Sequence, residues 1–286
     1  MICVLSATGQ LGLPMVQQLA ARGIPLRAVT RSPSGAEKLR RTGVEVVIGN
    51  IDDEEDLPRI LRDTTQLYLC TPNEPNQLQL QNKVVDAAVR AGVRAIVKLS
   101  VFTAEEDELC HFSRLHWVNE QHIIKTGIPY TFLHPNTFMQ SLGLLFGHEI
   151  KTQGTMSSAV GPDKTITMVD VRDVVDVSVA VLAKNVHKGE TLLITGPAAL
   201  SYGECARMIS TRIGKSITYR HITEREAIRQ LLRAGVSDWM MEGIKDLYRM
   251  YDRNDLNPLS TVTQEWTGRT PRTFSQFLDT YSHLFQ

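Results

Sequence analysis

Short apolar runs alternate with amphipathic stretches along the first half of the chain. "ICVLS" leads into "QLGLPMVQQLAARG", where Leu11, Met15 and Leu19 share one helical face, with Val16 and Ala20 beside them. Gly23 is a natural stop for that helix, and Pro14 is tolerated because it falls near the first turn. The alternation continues with strand "PLRAVT", helix "GAEKLRRTG" and strand "VEVVIG", then "DDEEDLPRIL", a helix start with acids at its positive end. Strand "QLYLC", helix "NQLQLQNKVVDAAVRAG", strand "RAIVKLS", helix "FSRLHWVNEQHIIKTG" and strand "PYTFLHP" follow. Continuous apolar strands between amphipathic helices predict a parallel sheet covered on both faces. Within the second strand, Arg27 is expected at the surface.

After about residue 150 the pattern loosens. "KTITMVD" and "GETLLITG" read as strands and "VRDVVDVSVAVLAK" as a helix. Ser201-x-x-Glu204, Thr223-x-x-Glu226, Thr261-x-x-Gln264 and Thr273-x-x-Gln276 have the spacing of capping boxes and mark further helix starts. The predicted organisation is an α/β fold in two parts. Residues 1–150 form a doubly wound parallel sheet, and residues 151–286 a smaller helix-rich lobe, parts of which return to that sheet.

Composition narrows the function. Lys+Arg and Asp+Glu are equal at 31 each, so no basic excess points to nucleic acid or an anionic membrane. No run approaches the roughly 18 apolar residues of a membrane span. The start of the chain goes directly into a strand without a secretory pattern. The four cysteines, Cys3, Cys70, Cys110 and Cys205, are far apart and show no CxxC, which predicts a reduced, cytoplasmic protein. Cys3 and Cys70 sit in predicted strands as small hydrophobes.

The junction of the first strand and helix carries the first chemistry. "LSATGQLG" places Ser6, Thr8, Gly9, Gln10, Leu11 and Gly12 where a strand meets a helix N-terminus. Such a junction offers backbone N–H groups and a helix dipole to a pyrophosphate, which predicts a dinucleotide site of Rossmann type. The spacing Ser6-x-x-Gly9-x-x-Gly12 is not the usual GxGxxG. A serine at the first position is strained if its φ is positive and harmless if it is negative. Its hydroxyl could bond the loop backbone or a phosphate oxygen. NAD recognition wants an acid at the end of the second strand, but "IPLRAVTRSPS" has none. It has Arg31, suited to a 2′-phosphate, so NADP(H) is expected over NAD(H). The competing reading of Arg31 is a solvated loop arginine.

The loop resembles the TGATGxxG loop of the atypical short-chain dehydrogenases, in particular the NmrA-like NAD(P)-binding family. The resemblance extends through "LRAVTR", "KLSVFTA", "VDVRDVVDVSVAVL" and "LLITGPAALSYGECA". It is most specific in "HWVNEQHIIKTGIPYTFLHPNTFMQ". Ser6 and His134 depart from it, standing where the family has glycine and arginine. The resemblance implies that Asn50 and Ile51 border the adenine and that Thr71, Pro72 and Asn73 line the path to the nicotinamide. It also places Leu99, Ser100, Glu120, Pro135, Asn136 and Thr137 at the cofactor. Family members act as reductases, or bind the dinucleotide without turnover and signal through a protein partner.

None of the seven tyrosines has a lysine four residues on, so the Tyr-x-x-x-Lys dyad of ordinary short-chain dehydrogenases is absent. Ser100 falls at the strand position of that family's active-site serine, or is a plain strand-end hydroxyl. His116 and Glu120 share a helix face. They are either an acid/base histidine oriented by a carboxylate or a structural pair. No metal set is spaced correctly: His111 and His116 are out of helical phase, and His122 faces elsewhere. "SDWMMEGIKDLYRMY" supplies a helix to roof a planar apolar substrate, or else to pack in the core or a homodimer interface. The expectation is a reductase of a small quinone, imine or conjugated carbonyl, with His116 or water giving the proton. The alternatives are a dinucleotide sensor and a non-redox enzyme on the same scaffold.

Overall fold

A computed structural model describes residues 1–106, 110–253 and 257–286. Its first half alternates as the pattern predicts. β1 (Ile2–Val4), α1 (Gly12–Ala21), β2 (Leu26–Thr30), α2 (Pro33–Arg40), β3 (Glu45–Ile48), α3 (Leu57–Leu61) and β4 (Gln66–Leu69) come first. α4 (Gln77–Arg90), β5 (Ala95–Leu99), α5 (His111–Thr126), β6 (Tyr130–Pro135) and α6 (Ser141–Gln153) follow. β7 (Thr155–Ser158), β8 (Thr165–Ile166), α7 (Val171–Lys184), β9 (Glu190–Ile194), β10 (Leu200–Ser201), α8 (Tyr202–Ile213) and β11 (Thr218–His221) continue. α9 (Glu224–Arg233), α10 (Asp238–Asp252), α11 (Val262–Thr267), α12 (Phe274–Tyr281) and a 3-10 turn (Ser282–Leu284) complete the order.

The main sheet runs β3-β2-β1-β4-β5-β6-β9, and every pairing in it is parallel. This is the doubly wound Rossmann order with β9 added at one edge. Alternate strand residues face opposite layers. Val4, Tyr68, Val97 and Leu133 pack with Met15 and Leu19 of α1 and Val174 and Val177 of α7. Cys3, Leu67, Ile96 and Phe132 pack with Ile60 of α3, Val84 and Ala88 of α4 and Ile123 of α5. β9 and α7, from the second half of the chain, thus belong to the sheet, and residue 150 falls within α6. A further cluster joins Phe146 of α6, Ile209 of α8, Met250 and Tyr251 of α10 and Phe277 of α12. Trp239, Met240 and Tyr248 pack against that cluster, so much of α10's apolar face is spent on the core.

Three expectations are corrected. Arg27 is 1% exposed, not on the surface. Its Nε meets Glu45 Oε1 at 2.8 Å and its Nη1 donates to the Ile60 carbonyl at 2.9 Å, because a strand covered on both faces has no wet side. Thr261 does not form a capping box: its φ is −92° and no side chain caps α11 there. Ser260 Oγ accepts from the Val262 amide instead. "KTITMVD" forms only the two-residue β8, paired with β10, plus a bridge from Val169 to Phe138. The other three capping boxes form, at Ser201, Thr223 and Thr273. Among the described residues no helix is long and apolar enough to cross a membrane.

Candidate functional site

Open α/β sheets bind ligands beyond the carboxyl ends of their strands, where the strand order reverses. Here β1 lies between β2 and β4, and a cleft of ≈ 410 Å³ opens at those ends. Its lining includes Ser6, Thr8 and Gly9 after β1, Arg31 after β2, Asn50 and Ile51 after β3, and Thr71 and Pro72 after β4. Gly49, Asp52, Cys70, Glu74, Asn76 and Leu80 also line it.

The turn into α1 is built for close approach. Ser6 has φ +50°, the left-handed region that a serine adopts at a cost. Two hydrogen bonds hold it there: the Gly9 amide donates to the Ser6 carbonyl at 2.9 Å, and Ser6 Oγ donates to the Cys70 carbonyl at 2.9 Å. A Cβ on Gly12 would stand 2.2 Å from the Ser6 carbonyl oxygen and 2.8 Å from Ala7 Cα, so only glycine lets α1 sit this near the strand. Gly35 is equally confined, since its Cβ would meet Thr30 Oγ1 at 2.4 Å. No side chain caps α1 at Leu11, whereas Ser32 caps α2 by accepting from the Gly35 amide. An uncapped N-terminus over a glycine turn fits the pyrophosphate of a dinucleotide. Gln10, Leu11 and Gly12 form that turn and the helix start, behind the residues that line the cleft.

Ser6 makes a clear prediction. Ser6→Gly relieves about 1–2 kcal/mol of backbone cost and loses a bond worth about 1 kcal/mol. Its stability is therefore expected within about 1 kcal/mol of the parent. Ser6→Ala loses the bond and keeps the strain, and should be about 1 kcal/mol less stable. Urea unfolding of both variants measures the difference.

A second polar group lies at the ends of β5 and β6. Lys98 is fully buried, and its Nζ lies 2.8 Å from His116 Nδ1 and 3.2 Å from Ser100 Oγ. Ser100 Oγ donates to Glu120 Oε1, which His134 Nε2 also meets at 2.8 Å. The His116–Glu120 pairing expected from their spacing is therefore not made. Glu120 serves Ser100 and His134, while His116 reaches Lys98 and, at 3.3 Å, Gln77. His134, one of the two departures from the resembled family's pattern, pairs with Glu120. Burial pushes the Lys98 ammonium down to about 8, with the carboxylate of Glu120 limiting the fall. Burial also holds His116 well below the ordinary histidine range, and the nearby Lys98 and His134 add to this. At neutral pH the imidazole of His116 is uncharged. Cys70 lies close by, but burial pushes its thiol up to about 11, so it is no nucleophile.

The remaining candidates are spread along β6 and the loops. Pro135 pairs with Ile194 of β9, and Leu99 with Leu133 of β6. Asn136 Nδ2 donates to Thr167 Oγ1 at 2.8 Å, and Thr137 Oγ1 meets the Tyr251 hydroxyl of α10 at 2.8 Å. Asn73 is exposed beside Pro72. His111 is tied to Asp246 of α10, and His122 to Asp86. Lys98 is the main addition to the expected set. The sequence carries a signal for it: a lysine inside "AIVKL", a strand covered on both faces, must find buried partners.

The profile of the NmrA-like family matches residues 1–278. This chain belongs to the NmrA-like family. Within that family setting, it is 33% identical over 289 residues to the (4-alkanoyl-5-oxo-2,5-dihydrofuran-3-yl)methyl phosphate reductase of Streptomyces griseus, covering 100% of this chain and 99% of the other. It is 29% identical over 285 residues to the NAD(P)H azoreductase of Xenophilus azovorans, with the same coverages. Among solved structures, the NADPH complex of an Escherichia coli NADPH-dependent quinone oxidoreductase superposes with a TM-score of 0.89, covering 100% of both chains. At 24% identity that likeness speaks for the NmrA-like fold alone.

Proposed function

We propose that this protein is an NADPH-dependent reductase of a small conjugated acceptor, such as a quinone, an imine or a conjugated carbonyl. The observation that carries this reading is the cleft itself. It gathers a glycine turn, an uncapped helix N-terminus and Arg31 at the carboxyl ends of β1, β2 and β4. The names of the relatives point the same way: an azoreductase, a quinone oxidoreductase and a reductase of an unsaturated lactone phosphate. Their acceptors share conjugation, which lets hydride add without a tyrosine to activate a simple carbonyl.

In this reading Thr8, Gly9, Gln10, Leu11 and Gly12 hold the pyrophosphate, with Ser6 fixing the turn. Asn50 and Ile51 border the adenine. Thr71, Pro72, Asn73, Leu99, Ser100, Glu120, Pro135, Asn136 and Thr137 surround the nicotinamide half. The bound nicotinamide supplies hydride. His116 is the proton donor, and Ser100 with Glu120 fixes the floor beneath the acceptor. Residues 151–286 supply the substrate pocket.

Arg31 selects the phosphorylated cofactor. A guanidinium paired with phosphate contributes about 1.5–3 kcal/mol, so Arg31→Ala should weaken NADPH by roughly 10–100-fold and leave NADH unchanged. Fluorescence titration with both nucleotides gives the ratio. An unchanged ratio removes Arg31 from the account.

A further inference from the structure

The buried ammonium of Lys98 is not explained by cofactor binding. It lies on β5 beside Leu69 of β4, immediately behind Cys70 in the cleft wall. Four groups face it from the packed elements. Cys70 comes from the end of β4, His116 and Glu120 from α5, and His134 from β6 by way of Glu120. Ser100 faces it from its own strand.

The hydrogen-bond inventory decides where the protons sit. A neutral imidazole has one N–H. If Lys98 donates to Nδ1, the His116 proton is on Nε2, where Gln77 stands at 3.3 Å. Gln77 is 1% exposed, and its Oε1 has no partner among the described residues. Turning the amide end for end gives that oxygen the Nε2–H and moves the amide nitrogen to the side where the oxygen has no partner among the described residues. The arrangement is then an ammonium, an imidazole with a free lone pair toward it, and an N–H on the far side. Such a histidine passes a proton on without ever becoming a stable imidazolium, which its burial disfavours. Gln77 follows Asn76, which lines the cleft.

We infer that Lys98 and His116 form one buried proton relay, in which Lys98 recharges His116 as His116 protonates the reduced acceptor. This rests on the reductase reading above. The acceptor, having taken hydride from the bound nicotinamide, is left an anion. Gln77 releases the His116 Nε2–H, that bond breaks and its proton goes to the anion. A Lys98 Nζ–H bond breaks and its proton goes to His116 Nδ1. Lys98 is left a neutral amine and His116 its Nδ1–H form; between turnovers Nδ1 returns its proton to Lys98 as Nε2 takes one from water, which restores both groups. The buried charge is thereby conserved: the cation lost at Lys98 matches the one gained on the oxidised nicotinamide. Lys98 acts through His116 and is a positioning residue in the relay.

The relay needs a charged Lys98, so kcat should fall as pH rises through about 8. The test is the pH profile of kcat with NADPH and a quinone, in the parent, Lys98→Met and Lys98→Arg. Lys98→Met should lose about 100-fold in kcat, with the KM for NADPH nearly unchanged and no break near pH 8. Lys98→Arg keeps a cation that does not deprotonate, and should likewise be slow and without the break. The same break surviving in Lys98→Met overturns the relay. A second readout needs no turnover and no variant: ¹⁵N NMR of the His116 ring should show Nε2 protonated and Nδ1 bare, with shifts that titrate near pH 8. A ring protonated on Nδ1 overturns the relay even if Lys98→Met does not fold. Absence of turnover with every acceptor would instead reject the reductase reading, while the NMR result still decides whether the pair is arranged to share a proton.

Discussion

Gly12→Ala is expected to weaken NADPH binding by at least about 100-fold while the chain still folds. The added Cβ would lie 2.2 Å from the Ser6 carbonyl oxygen and 2.8 Å and 2.9 Å from the Ala7 backbone. These are backbone atoms on both sides, so no side chain can swing away. α1 must shift back from β1, and overpacking of this kind costs about 1–3 kcal/mol. The shift also withdraws the helix amides from the pyrophosphate, and charge-assisted hydrogen bonds are the strongest contacts such a site has. Gly43→Ala is the control. Its φ is +77° with no neighbour within 4 Å, so it should lose about 1 kcal/mol of stability and keep its NADPH affinity. Thermal melting and fluorescence titration of the two variants separate backbone strain from damage to the site. Equal affinities in the two would show that α1 does not hold the phosphates.

Glu120→Ala is expected to destabilise the fold by about 3–5 kcal/mol, a fall of roughly 10 °C in Tm. The carboxylate accepts from Ser100 and His134 and offsets the charge of Lys98, all of them buried. Removing it leaves two donors without this acceptor and the Lys98 cation without a countercharge. Glu120→Gln keeps an acceptor and should lose less. The sign of the pH dependence follows from Lys98. Its folded value, about 8, is already below its ordinary one, and loss of Glu120 lowers it further. The variant's extra deficit is present while Lys98 would be charged and narrows as pH rises through about 8. Melting curves across that range check it, and a deficit independent of pH would place the cost elsewhere.

Much of the architecture is legible because a doubly wound sheet makes simple demands. Strands buried on both faces must be apolar throughout, and helices between them amphipathic, and the segment read as a helix, "VRDVVDVSVAVLAK", has the bounds that α7 takes. The cleft is legible for the same reason: strand order decides where the loops after β1, β2, β3 and β4 meet. Side-chain partners are less legible. Arg27 and Lys98 each interrupt an apolar strand, and only tertiary packing shows that they turn inward to carbonyls and to α5. Helical spacing puts His116 and Glu120 on one face, but β5 and β6 offer each a different partner. The positive φ of Ser6 likewise depends on its contact with Cys70, 64 residues away.

The central claim is tested most directly by the rate of NADPH oxidation, followed by nicotinamide absorbance, with a quinone, an azo dye, an imine and an unsaturated lactone as acceptors and NADH run alongside. The account predicts saturable, acceptor-dependent oxidation of NADPH by at least one of them, with kcat/KM at least about ten-fold above that for NADH. NADPH that binds tightly but is consumed with none of the four would contradict it, and would identify the protein as a dinucleotide sensor.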